Sequence, residues 1–179
     1  MPARHIVFTA DQARFEVPPP YASISRGFRR WSVINGASGS VHQEFNLCEL
    51  APGGGLEPHL HTFEESLYIL EGQLICETGD GAYAMEPGDY ELIQVGAPHA
   101  LRNAGDRPVR WAELLAPQPR LDGDGDVFPA PGFAAPGPPR RVDPRDPRTR
   151  FFGNITPDHM DPTKQAQSLL AVSASMRTA

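Results

Sequence analysis

Between Arg30 and Leu115, short apolar runs rich in Val, Ile, Leu, Tyr and Phe alternate with clusters of Gly, Pro, Asp and Asn. No 3.6-residue period connects them, so helices are not expected there. The pattern predicts strands over Arg30–Ile34, Val41–Leu50, Glu65–Leu70, Gln73–Glu77, Ala82–Met85, Tyr90–Gln94, Ala100–Asn103 and Val109–Leu115. Turn chemistry separates them at Pro52-Gly53-Gly54-Gly55, Glu71-Gly72, Gly79-Asp80-Gly81, Glu86-Pro87-Gly88-Asp89 and Asn103-Ala104-Gly105-Asp106. Many short strands at near-regular spacing read as an all-β sandwich or barrel, here spanning residues 20–117 behind an N-terminal arm over 1–19.

The pattern stops at Ala116. Residues 118–150 are dominated by Pro, Gly, Ala, Asp and Arg and read as a linker or arm lying on a surface, with Phe128 and Phe133 as its anchors. Within it, Asp122-Gly123-Asp124-Gly125-Asp126 has the acid spacing of a calcium loop. The twelfth loop position is Phe133, however, where a bidentate Glu is required, so the run reads as a turn. Residues 151–179 form a tail. Asp161-Pro162 suits a helix start, and Ala166, Leu169, Leu170 and Met176 fall near one helical face. Asn154-Ile155-Thr156 matches the glycosylation triplet, but Pro157 follows it and no secretion signal is visible, so it is not expected to be a glycosylation site.

Composition narrows the field. The chain has 179 residues and a formal charge of −6, which argues against nucleic acid, whose phosphates reward a basic face. The basic clusters Arg26-Gly27-Phe28-Arg29-Arg30 and Arg140-Arg141 read as solvated surface. No stretch approaches the roughly 20 apolar residues of a membrane-spanning helix. The first residues soon run into Thr9, Asp11 and Gln12 without a signal-peptide pattern, so the cytoplasm is the expected location. Cys48 and Cys76 form no Cys-x-x-Cys pair and read as buried small apolar residues rather than a disulfide framework.

The chemistry is concentrated in Gly53 to Gly72. In an extended chain, residues two apart share a face, so His59 and His61 point the same way. Glu65 can return to that face after an irregularity at Thr62-Phe63, and His99, on a later antiparallel neighbour, can supply a fourth ligand. Three imidazoles and a carboxylate make a borderline donor set for Mn, Fe, Co, Ni or Zn rather than Ca or Mg. Glu64 lies one residue off this spacing and reads as a solvated partner; His5, His42 and His159 read as histidines outside the site.

The spacing Gly53-x5-His59-x-His61-x3-Glu65-x6-Gly72 resembles the first cupin motif, with every fixed position filled. Gly88-x5-Gln94-x-Gly96-x2-His99-x3-Asn103 is similar to the second motif, with Gln94 where that motif has a proline that shapes a turn. The resemblance implies an all-β double-stranded β-helix, a jelly-roll barrel whose open end holds one divalent transition metal on His59, His61, Glu65 and His99. A narrower likeness to two-barrel cupins such as the ureidoglycine aminohydrolases rests on Glu64-Glu65-Ser66-Leu67-Tyr68-Ile69-Leu70-Glu71-Gly72, Gly88-Asp89-Tyr90 and Leu114-Leu115-Ala116-Pro117. It would make Arg150 to Ala179 the approach to a second barrel.

Two functions follow from this site. The first is a metal-dependent cupin enzyme using Fe, Mn, Ni or Zn on a small oxygen-chelating metabolite, by dioxygenation, decarboxylation, isomerisation or hydrolysis. The alternative is a non-catalytic metal- or ligand-binding cupin, acting as a sensor or as the structural half of a larger assembly. Glu44, Glu113, Arg102 and Gln94 are candidates to face the cavity, but no catalytic acid or base is assigned among them, because a one-residue shift of strand register would turn each away. Sheet edges need cover, which the extensions can supply by exchange, so a homodimer is expected.

Overall fold

The computed structural model describes residues 5–120, 125–133, 137–143 and 151–155. Its elements are β-strands linked by turns and three short 3-10 turns. The strands are β1 (Ser25–Ile34), β2 (Glu44–His61), β3 (Glu64–Glu71), β4 (Leu74–Thr78), β5 (Gly81–Met85) and β6 (Asp89–Ile93). They continue with β7 (His99–Arg102), β8 (Val109–Ala116), β9 (Val127–Pro129), β10 (Arg140–Arg141) and β11 (Phe152–Asn154). The expected helix after Asp161 lies outside the described residues.

The sheet runs β10-β5-β4-β7-β2-β8-β3-β6-β11, with β1 and β9 also on β2, and curls into a jelly-roll barrel. One strand makes this possible. Residues 44–50 of β2 pair with β8, while residues 55–59 pair with β7. The Pro52-Gly55 run, expected as a turn, is instead a bend inside this 18-residue strand. Gly53 has φ 67°, and a Cβ at Gly54 would lie 2.8 Å from the Ala51 and Arg26 carbonyl oxygens. The glycines therefore let β2 cross between the two halves of the barrel rather than reverse. Gly72, with φ 79° and room for no side chain, 2.7 Å from the Pro108 carbonyl oxygen, carries the chain from β3 to β4, which pair with different neighbours.

The segment after Ala116 returns to the barrel. β9 adds to the end of β2, β10 pairs in parallel with β5, and β11 pairs antiparallel with β6. Within this chain β10 and β11 are therefore the outermost strands of the sheet path.

Interior side chains change character along each strand. On β2 they run Glu44, Asn46, Cys48, Leu50; on β8 Leu115, Glu113, Trp111, Val109; on β3 Glu65, Leu67, Ile69. The far end is sealed by Phe28 stacked on Trp111, ring centroids 5.8 Å apart, with Leu50, Ile69, Leu74 and Met85 fully buried around them. Each such burial is worth about 1.5–3 kcal/mol. This apolar plug stabilises the barrel while the opposite half buries polar groups.

Candidate metal centre

His59 and His61 occupy the last residues of β2, Glu65 lies at the second position of β3, and His99 opens β7. The ladder sets His59 opposite His99, and the two-residue link Thr62-Phe63 carries the chain back so that Glu65 faces the same interior. Phe63 turns inward and stacks on the His61 ring at 4.3 Å and 6°, while Tyr21 meets His59 edge-on at 5.7 Å. All four candidate ligands are buried.

Their polar atoms converge. His61 Nε2 lies 3.0 Å from Glu65 Oε2, and His99 Nε2 lies 3.6 Å from the same oxygen. Donor atoms of His61, Glu65 and His99 fit within 4.8 Å of one another. His59 stands beside this triangle, its ring centroid 4.2 Å from that of His99 and 6.1 Å from that of His61.

Each imidazole is oriented by a backbone carbonyl two residues away. Nδ1 of His59 lies 2.8 Å from the Glu57 oxygen, that of His61 2.6 Å from the Phe63 oxygen, and that of His99 3.0 Å from the Ala97 oxygen. A carbonyl only accepts, so each Nδ1 carries the proton, and Nε2 of His61 and of His99 is turned towards Glu65. His99 Nε2 is buried without a hydrogen-bond partner. Burial, then the neighbouring His99, lowers the His59 pKa to about 4, keeping it a neutral lone-pair donor. Burial also opposes charge on His61, but the hydrogen bond and charge of Glu65 outweigh it and raise that imidazole. At Glu65, burial works upward, while the His61 hydrogen bond and the nearness of His99 hold the carboxyl well below its usual range. Imidazole nitrogens around one ionised carboxylate, with an orphaned Nε2 among them, fit a divalent transition ion. The carbonyl tethers match the outer-shell support that ligating histidines use.

Two further acids lie on either side of Glu65. Glu113 accepts from Asn46 Nδ2 at 2.8 Å, Arg30 Nη1 at 3.2 Å and Cys48 Sγ at 3.4 Å. Burial and the charge of Glu65 push its pKa to about 7 against the pull of Arg30, which is also 3.7 Å from Glu44. Among the described residues Glu91 accepts only from Cys76 Sγ at 3.4 Å, and its Oε2 has no partner. Burial pushes it to about 8.

Of the four candidates for the cavity, Glu44 and Glu113 face inward. Arg102 is exposed and pairs with Glu77, and Gln94 is exposed at a rim. Arg30 corrects the surface reading of its cluster: only 11% of its side chain is exposed, because two buried carboxylates require a cation between them. Cys48 and Cys76 are buried and free, each a thiol donor to an acid. Glu64, His5 and His42 are exposed, and His159 lies outside the described residues. Asp126 is a clasp, bonded to Thr62 Oγ1 at 2.7 Å and to the Arg120 amide at 2.7 Å; residues 122–124 of that run are outside the described residues. Sequence reasoning missed Arg30 and Glu91, the first for lying in a basic cluster and the second for lying outside both motifs.

Residues 46–116 match the family model of the cupin domain, and the chain carries the cupin barrel. Solved structures agree on the fold. The polyketide cyclase RemF from Streptomyces resistomycificus has 18% identity and a TM-score of 0.58, covering 64% of this chain and 80% of that one. A cupin-2 domain protein from Rhodospirillum rubrum has 17% identity and a TM-score of 0.57, covering 70% and 80%. KdgF from a Halomonas species has 17% identity and a TM-score of 0.54, covering 66% and 97%. No curated protein matches the chain significantly. Among the described residues no helix is long and apolar enough to cross a membrane.

Proposed function

We propose that this cupin is a metal-dependent enzyme acting on a small metabolite with adjacent oxygen atoms. In this reading His59, His61, Glu65 and His99 hold one divalent ion such as Fe, Mn, Ni or Zn. The observation that carries it is the tethering of all three Nδ1 atoms to backbone carbonyls, which leaves the Nε2 atoms free as donors, those of His61 and His99 beside an ionised carboxylate and His59 next to them. An ion bound there would polarise a substrate oxygen and acidify bound water. The chain's own residues orient the ligands, and Phe63 and Tyr21 shield the rings from water. Two buried acids, with pKa values pushed to about 7 and about 8 beside the cluster, favour an enzyme over a passive binding module. The fold neighbours bear different activities in their names, and fold does not choose among them.

Elemental analysis of the purified chain beside a His59→Ala/His61→Ala variant tests this. Near-stoichiometric Fe, Mn, Ni or Zn, absent from the variant, is the expected result. Metal well below stoichiometry and unchanged in the variant would sink the four-ligand reading.

A further inference from the structure

A cavity of about 330 Å³ opens beside the candidate centre, at the small end of ligand-site volumes of ~300–1,000 Å³. His99 and Glu91 line it together with Tyr83 and Phe152, whose rings pack with centroids 4.5 Å apart; Asp80 and Gln94 lie at its rim. Among the described residues few buried side-chain atoms lack a partner, and one that no other role claims is Glu91 Oε2 in this lining. Buried polar atoms are rarely left unpaired, so a bound molecule or water is expected to meet it. Glu113, the other interior acid, offers no such opening: both its oxygens are already engaged. Among the described lining residues there is no Lys or Arg, and Asp80 at the rim disfavours an anionic guest.

We propose that this cavity is the substrate chamber and that Glu91 donates a hydrogen bond to an oxygen of the guest. The guest is a small uncharged carbonyl or enol compound with a flat apolar face, seated against Tyr83 and Phe152. The proposal rests on the metal-site reading only for the second oxygen of the guest, which faces His99. At neutral pH Glu91 is a neutral carboxylic acid, able to donate, because burial and the nearby Glu65 charge keep it protonated. The titratable groups facing it are Cys76 on β4, Tyr83 on β5, Glu65 on β3, His99 on β7 and Asp80 in the β4–β5 turn. Flat aromatic walls suit a flat unsaturated guest.

Maltol, an uncharged cyclic hydroxyketone, and lactate, an anionic hydroxy acid, are titrated by calorimetry into the full chain, both zinc-loaded and zinc-free. Ring signals of Tyr83 and Phe152 are followed by NMR. Maltol is expected to bind more tightly than lactate and to shift both ring signals. Glu91→Leu should weaken it by about tenfold or more, since a buried acceptor loses its donor. Glu91→Gln keeps a donor, so it should bind maltol like the wild type at pH 7. That rescue is the arm to read if the leucine variant fails to fold. Equal binding by Glu91→Leu, or a loss of about tenfold in Glu91→Gln, overturns the role of Glu91. Lactate binding more tightly than maltol overturns the uncharged class. Identical maltol binding with and without zinc, with both rings shifting, supports the chamber while counting against the metal reading.

Discussion

Glu113 and Glu91 sit on opposite sides of Glu65, each buried and each accepting from a cysteine thiol at 3.4 Å. Beyond that likeness they differ. Glu113 is held by Asn46 and by Arg30, which also neighbours Glu44, and beyond Arg30 and Tyr21 lies a second cavity of about 260 Å³. Glu91 has an unpartnered oxygen and lies on a cavity with aromatic walls. The same residue type at the same depth therefore serves two ends. A fully satisfied acid fixes the geometry around it, whereas a half-satisfied one keeps bonding capacity in reserve for a guest.

The largest expected effect comes from removing the cation on the satisfied side. Arg30→Met strands Glu44 and Glu113 in the interior and should cost about 3–5 kcal/mol in urea unfolding. Glu91→Leu removes an acid that has no cation and whose burial opposes folding at neutral pH, so it should leave stability unchanged or raise it. Equal losses would erase the distinction between the two sides.

A smaller effect should appear in the pH dependence. Both carboxyls are raised in the folded chain, to about 7 for Glu113 and about 8 for Glu91, from an ordinary value of 4.5. The folded state therefore holds protons that the unfolded state releases, and stability falls as pH rises from the ordinary carboxylate range. The loss ends near pH 7 for Glu113 and near pH 8 for Glu91. Glu113→Gln should flatten the lower part of the profile, and Glu91→Gln the whole span to about pH 8, in thermal unfolding followed across pH. An unchanged profile in both variants would show that neither acid is protonated in the folded chain.

The smallest effects concern the pieces of the C-terminal segment that close each side. Thr62 Oγ1 bonds Asp126 beside β9, and Asn154 Nδ2 bonds Asp89 at 2.7 Å beside β11. Thr62→Val and Asn154→Ala should each cost about 1 kcal/mol. Limited proteolysis should show the cut near β9 in the first variant and near β11 in the second; cutting at the same place in both would mean that the two closures are not separate.

Much of the barrel is readable without coordinates. The alternation of Glu65, Leu67 and Ile69 with Glu64, Ser66 and Tyr68 marks β3 as a strand with one buried face, and β8 repeats the pattern from Val109 to Leu115. The Pro52–Gly55 run misleads because glycine serves both reversal and bend, and only the pairing of β2 with two different neighbours distinguishes them. Strands β9, β10 and β11 escape notice because two or three residues cannot display a period, and their ladder partners lie dozens of residues away.

The sequence by itself determined which residue types could gather at the candidate centre. A period-2 strand places His59 and His61 on one face whatever their surroundings, and motif spacing brings Glu65 and His99 to the same interior. Tertiary structure alone decided the rest. Register fixed which acids face inward, so Glu113 and Glu91 are buried while Arg102 is exposed. Packing then decided that Arg30 would neutralise one acid and leave the other facing a cavity. Burial and charge pairing are sums over neighbours distant in sequence, and no local pattern carries them.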